Sequence, residues 1–223
     1  MKVVVTRERG HNDALIAWLP EGAVVREVPL TATRFFESDE VMSVLRESHF
    51  FGQFRSLVVT SARSALYASL ARQGLALNGT VLVVGTATAH ALEEENVEVG
   101  VIGESGAAEL AASISEGPVL LLGAATMRDE LATALIGRGI AVETLACYET
   151  VPADLGGADE ATLRDADVVF IGAPSAWLVA EDFVSDDSLV VVPGATTAAV
   201  VQRHHPRVLE GWGPQLREHL GSL

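Results

Sequence analysis

The 223-residue sequence has one cysteine, Cys147, which excludes an internal disulfide framework and a metal site built from several thiolates. A reducing, cytoplasmic location is the expectation that follows. Aromatic residues make up only 5% of a chain that is 49% hydrophobic, so the core must be built from Val, Leu, Ile and Ala. That composition suits packed α/β layers better than an aromatic-rich β-sandwich. Long apolar runs are missing as well. None reaches the roughly 18 residues needed to span a bilayer, and in MKVVVTRERG the apolar run stops at Val5, so no secretory leader is expected there. Positive charge is scarce: 15 basic against 30 acidic residues leave a net charge of -15, which opposes binding to nucleic acid and to anionic membranes. An anionic ligand would have to be held by locally placed donors against that field. The sequence also lacks a Walker loop, a GxGxxG after its first strand, an HExxH and a GxSxG elbow, each the mark of a different chemistry.

What is present is a strand that turns through glycine directly into a helix, and it occurs twice. Residues 81–92, VLVVGTATAHAL, are matched by 189–200, LVVVPGATTAAV, with Gly194 answering Gly85 and Thr197 answering Thr88. Such a turn presents free backbone N–H groups and hydroxyls at a helix N-terminus, where anionic or carbonyl groups bind well. Along the chain, apolar runs predict strands over 3–5, 23–28, 56–60, 81–84, 97–102, 119–122, 140–148, 167–171, 189–192 and 207–209,. Helices are predicted between them over 11–19, 39–46, 61–73, 86–95, 105–115, 127–138, 174–181, 196–204 and 215–220,. The pattern from 31 to 55 is mixed, and a Gly-containing acidic stretch after Pro152 reads as a linker and a short helix. Buried strands alternating with helices call for parallel sheets covered on both faces.

The repeat extends further. A shift of 117 positions carries Val3 onto Leu120, Gly22 onto Gly139 and Thr33 onto Thr150 without a gap, and SLVVTSARSAL (56–66) aligns with DVVFIGAPSAW (167–177). The chain therefore reads as two kinds of unit, each present twice, in the order A, B, A′, B′. Either A pairs with B and A′ with B′, or A pairs with B′ and B with A′, the second making the first domain discontinuous.

Several motifs, in order, resemble the uroporphyrinogen-III synthase family over nearly the whole chain: VTR near the N-terminus, Thr60-Ser61-Ala62, the VGTATA turn, Arg128-Asp129-Glu130-Leu131, Tyr148-x-Thr150-x-Pro152, Pro174-Ser175-Ala176 and the GATTA turn. The resemblance implies two similar three-layer α/β lobes with parallel sheets joined by a two-stranded linker, the first lobe discontinuous: 1–33 plus 153–223 for one and 36–150 for the other. It implies a monomeric lyase that cyclises hydroxymethylbilane, a linear tetrapyrrole with eight carboxylates, to uroporphyrinogen III. Water is lost and ring D inverts through a spiro intermediate, in tetrapyrrole (haem) biosynthesis. No metal or organic cofactor is implied, and the partners implied are the substrate and a transient contact with the preceding enzyme of the pathway. A reaction driven by the substrate's own electron-rich pyrroles needs mainly a shaped cleft, positioning and help for the departing hydroxide.

Tyr148 is the expected catalytic residue, its phenol donating to the leaving hydroxyl as the family's motif tyrosine does; a tyrosine there can equally plug the end of a sheet. Substrate contacts are expected from Thr60, Ser61, Ser64 and Ser175 at helix starts, and from Gly85, Thr86, Thr88, Gly194, Thr196 and Thr197 on the two turns. One threonine of each pair is expected to cap its helix. Arg7, Arg9, Arg63 and Arg128 fall just beyond apolar strands, where a parallel sheet places its ligand crevice, and Arg7, Arg63 and Arg128 are the expected carboxylate partners. The histidines show no metal spacing, Trp18, Trp177 and Trp212 read as helix-face packing, and Cys147 as buried and inert. The chain departs from the family pattern twice: Gly123-Ala124 stands where Arg-Gly is usual, and Gly172-Ala173-Pro174-Ser175 lacks two hydroxyls. Both changes remove donors, which keeps open a non-catalytic tetrapyrrole or small-acid sensor of the same fold.

Overall fold

The computed structural model describes residues 1–75, 79–103, 107–127, 129–213 and 215–221. In chain order it begins with β1 (Lys2–Val5), α1 (Asp13–Ile16), β2 (Val24–Glu27), β3 (Thr31–Phe35), α2 (Ser38–Arg46) and β4 (Ser56–Val59). A 3-10 turn at Ala62–Ser64 runs into α3 (Ala65–Leu75), followed by β5 (Thr80–Val84), α4 (Thr86–Glu94), β6 (Val101–Gly103) and α5 (Ala107–Ser113). Next come β7 (Val119–Ala124), α6 (Glu130–Ile136), β8 (Val142–Pro152), α7 (Gly157–Arg164) and β9 (Val168–Phe170). The order closes with α8 (Pro174–Ala180), β10 (Leu189–Val192), α9 (Ala195–Val201), β11 (Val208–Glu210) and α10 (Leu216–Gly221). The elements form two compact units, Met1–Ala32 with Thr150–Leu223, and Thr33–Glu149.

The sheet of the first unit has the order β11-β10-β9-β1-β2 with every neighbour parallel. Its inner strands β1, β9 and β10 are almost wholly apolar and buried because both faces are covered,, while the edge strands β2 and β11 carry Arg26, Glu27 and Glu210. Side chains alternate between faces, so Val3, Val5 and Phe170 meet Leu15 and Leu216 on one side, while Val4 and Val169 meet Trp177 and Ala198 on the other.

The second sheet has the order β3-β8-β7-β4-β5-β6, with β8 to β6 parallel. Leu57 and Val59 point to a layer with Ala68 and Leu92, and Val58 and Leu121 to one with Leu110 and Leu135. β3 runs against β8: the Phe36 N–H donates to Cys147 O and the Arg34 guanidinium pairs with Glu149. The chain passes from one unit to the other within these two strands.

The repeat survives in the backbone. Val3 lies opposite Val168 in the first sheet, and Leu120, its repeat partner, lies opposite Leu57 in the second. The order β11-β10-β9-β1-β2 is matched by β6-β5-β4-β7-β8. Of the two pairings that the sequence allows, the sheets are built from A with B′ and B with A′. Several element expectations differ. β3 was not expected from its mixed pattern, and β8, expected to stop at 148, continues to Pro152. The helices expected over 11–19 and 127–138 are only Asp13–Ile16 and Glu130–Ile136, shorter at both ends.

Candidate functional site

In a parallel sheet wound in two directions, ligands bind beyond the strand C-termini where neighbouring connections part. In the first unit that point lies between β1 and β9. Thr6, just past β1, is buried and donates its hydroxyl to Phe170 O, which locks the two strand ends together. Arg7 follows and is exposed. A Cβ built on Gly172 would lie 3.8 Å from Arg7 Cγ and 3.5 Å from the Trp212 ring, so Arg7, Gly172 and Trp212 share one small space. The loop holding Arg7 is tied by Asn12, which is fully buried. Its Nδ2 donates to Glu27 Oε1 at 2.7 Å, Arg7 O at 3.3 Å and Glu8 O at 3.4 Å. Trp212 lies in the loop past β11 with its ring 6.2 Å from that of Phe170. It is not on a helix face, which corrects the expectation; Trp177 is, buried in α8 with its ring 5.7 Å from His205.

In the second unit the corresponding point lies between β4 and β7. Thr60, past β4, donates to Leu122 O at 3.1 Å and sits 3.8 Å from Met127 Sδ. A Cβ at Gly123 would collide with Met127 Sδ and Thr60 Oγ1. The volume where the family pattern has an arginine is therefore filled by Met127, which reaches in from the turn before α6. Arg128 lies outside the described residues.

Tyr148 stands on β8 opposite Ala124, beyond a bulge at Gly123/Ala124. The Ala125 N–H donates to Tyr148 O at 2.7 Å. A bulge bends a strand and re-aims its side chains. The Tyr148 ring is 6% exposed, with the Phe35 ring centroid 6.1 Å away and Arg63 Cζ 5.8 Å from its own centroid. Ser61 caps the 3-10 turn by accepting from the Arg63 N–H at 3.3 Å, which holds Arg63 at the strand end. Ser64 is fully buried, and its hydroxyl makes no hydrogen bond of ordinary geometry. Beside it the Cys147 thiol is pushed up to about 11 by burial, which the Ser64 hydroxyl and the Gly123 backbone offset only in part.

The two glycine turns differ from expectation in one respect. Gly85 and Gly194 themselves take the N-cap positions of α4 and α9, and neither helix has a side-chain cap. The threonines lie inside the first helical turn, where a hydroxyl no longer stands ahead of the free N–H groups. Thr88 and Thr197 are turned into the fold, 5% and 4% exposed, and Thr86 and Thr196 are exposed. Ser175 is exposed in the first turn of α8, behind Pro174. The N–H groups of Thr197 and Ala176 already donate to Gly194 O and Ala173 O; the ones just ahead of them in α9 and α8, and the first of α4, have no acceptor within the helix. Phe35 and Met127 adjoin the strand ends of the second unit, and Asn12 and Trp212 those of the first, without being among the expected site residues. A sequence signal existed for Asn12 alone, an Asn directly ahead of a helix.

Two α/β units of matching strand order, each with arginine, hydroxyl and backbone N–H groups at its strand ends, define a two-unit parallel α/β protein. The family model of uroporphyrinogen-III synthase HemD matches residues 19–209, and the chain belongs to that family. Among solved structures it is similar to a uroporphyrinogen-III synthetase from Helicobacter pylori, at 16% identity over 96% of this chain and 94% of that one with a TM-score of 0.63. It is also similar to a mutant uroporphyrinogen III synthase from the extremely thermophilic bacterium Thermus thermophilus, at 18% identity over 100% of this chain and 95% of that one with a TM-score of 0.58. At such identities the likeness is one of fold. No curated protein matches the sequence.

Proposed function

We propose that the protein cyclises hydroxymethylbilane to uroporphyrinogen III, with Tyr148 as the proton donor. The observation that carries the assignment is the position of Tyr148 in a chain of this family: at the bulge that ends β7, with Arg63 and Phe35 against its ring. The phenol gives its proton to the substrate's hydroxyl, which leaves as water while the adjacent pyrrole supplies the electrons. After the ring-inverting closure the proton released as the last pyrrole regains aromaticity returns to the phenol oxygen. Arg7 and Arg63 pair with carboxylate arms, and the N–H groups behind Gly85 and Gly194, with Ser61, Thr86, Ser175 and Thr196, receive others, whereas the Thr60 hydroxyl and N–H both donate to Leu122 O. Arg128 stays in this set on its motif alone. The residues 1–33 with 153–223, and 36–150, act as the two lobes. We further read the protein as a cytoplasmic monomer; its one cysteine is buried and free, which suits a reducing compartment.

The test is to supply freshly made hydroxymethylbilane and separate the III isomer from the I isomer, which forms without an enzyme. The protein is expected to yield the III isomer, and Tyr148→Phe to slow its formation by about 10²–10⁴-fold, the range of a general acid. Full turnover by that variant would remove Tyr148 from the mechanism. The filled space at Gly123 favours the second reading, a non-catalytic tetrapyrrole or small-acid sensor, and exclusive formation of the I isomer by the native protein would establish that reading instead.

A further inference from the structure

Phe35 and Leu66 are large apolar side chains of the second unit left 53% and 47% exposed. Together with Phe36 they line one groove of about 520 Å³ whose rim carries Glu37, Glu94 and Glu95. Its walls are tied in place. The Tyr67 hydroxyl donates to Phe36 O, fixing the chain between β3 and α2 against α3, and Ser69 Oγ donates to Glu95 O at 3.2 Å, fixing α3 against the end of α4. An apolar floor under three carboxylates, with Arg63 the one cation among its lining residues, is a poor receptor for the polyanionic substrate. A second copy of the chain, with a net charge of -15, is repelled for the same reason. What complements the groove is a large apolar side chain flanked by positive charge.

We propose that this groove docks a partner protein through an amphipathic segment bearing an apolar side chain between lysines or arginines. The apolar residue fills the space between Phe35 and Leu66, and the flanking cations meet Glu37, Glu94 and Glu95 at the rim. This is the helix-in-groove mode of recognition, in which a few anchors on one face carry the affinity. Because Phe35 and Arg63 line the groove and also flank the Tyr148 ring, a docked segment lies one side chain away from Tyr148. The proposal does not depend on the synthase reading, since binding is measured without turnover.

The probe is a fluorescein-labelled helical peptide with leucines along one face and lysines beside them, compared by anisotropy with a scrambled peptide of equal composition. The full-length protein is used at an ionic strength of about 0.15 M, where non-specific attraction is screened. The patterned peptide is expected to bind about tenfold more tightly than the scrambled one. Leu66→Asp, and separately Glu94→Lys with Glu95→Lys, are each expected to weaken it about tenfold. Equal reversals at Asp182 and Asp186, in the first unit, leave it unchanged. Equal binding of the two peptides, or indifference to both groove variants, overturns the proposal. So does weakened binding of hydroxymethylbilane by Leu66→Asp, which would assign the groove to the substrate, or a self-association in sedimentation that Leu66→Asp abolishes, which would assign it to a second copy.

Discussion

A Cβ at Gly172 meets Trp212 and Arg7 at ordinary van der Waals distance, whereas one at Gly123 collides with Thr60 and Met127. The two departures from the family pattern thus have opposite standing. Gly172→Ser restores a hydroxyl at the β1/β9 switch point without a clash. It is expected to lower KM about 2- to 10-fold, the effect of one net hydrogen bond, with an unchanged melting temperature. Gly123→Ala forces Met127 out and presses on Thr60, and is expected to cost about 1–3 kcal/mol in urea unfolding; an unchanged midpoint would refute the filled-volume account. Cys147 gives a pH signature. Its folded pKa of about 11 lies above the 9.0 of an ordinary thiol, so the folded state holds the proton more tightly. The stability this contributes is complete below pH 9 and is lost as pH rises toward 11. Unfolding free energy is expected to fall by about 2 kcal/mol across that window, and Cys147→Ala to flatten the profile. Tyr67, raised mainly by its burial, adds a slope of the same sign.

The twin glycine turns look alike as letters and differ as elements. Gly85 has φ +79 and ψ 154, a region that only glycine enters freely, while Gly194 is extended. Neither has an atom within 4 Å of a built Cβ, so crowding plays no part. Gly85→Ala is therefore expected to cost about 1–3 kcal/mol of backbone strain, and Gly194→Ala next to nothing, as thermal unfolding of the two variants would show. The strand-turn-helix grammar, the strand cores and the duplicated register were legible because they rest on local apolar runs and on repeat arithmetic. β3 was not, because TATRF is half-exposed and becomes a strand only by pairing with β8. Helix capping by threonine was misjudged because a glycine already stood at the cap. Trp212 was misplaced although Gly211, Gly213 and Pro214 around it mark a loop between the strand expected over 207–209 and the helix expected over 215–220,, and Met127 could not be read as a filler because its target is an absent side chain four positions back.

At the scale of the whole molecule, a net charge of -15 sets the approach of any polyanion against the arginines and helix ends that hold it. These act at different ranges. The global field reaches about 30 Å at 0.01 M salt and about 8 Å at 0.15 M, while contacts in a partly buried site are screened far less. For an octacarboxylate, kcat/KM is therefore expected to rise as salt is added over this interval and to level off. A steady decline from the lowest salt would mean that the local donors dominate even at long range. The assignment of A to B′ and of B to A′ was not decidable from the repeat alone, since both pairings satisfy the same periodicities; only the placement of β1 between β9 and β2 settles it.

That placement also has a meaning in time. On a ribosome, residues 33–149 emerge as an uninterrupted stretch and can close their own sheet as they appear. β1 and β2, made earlier, must wait for β9, because β1 finds its neighbour on that side only when residues 168–170 have been synthesised. Until then a strand of three consecutive valines presents an unpaired edge, the kind of surface that invites association with other nascent chains. β1 and β2 are thus locked only after the whole of the other unit has been made, so an interval of exposure falls within translation itself.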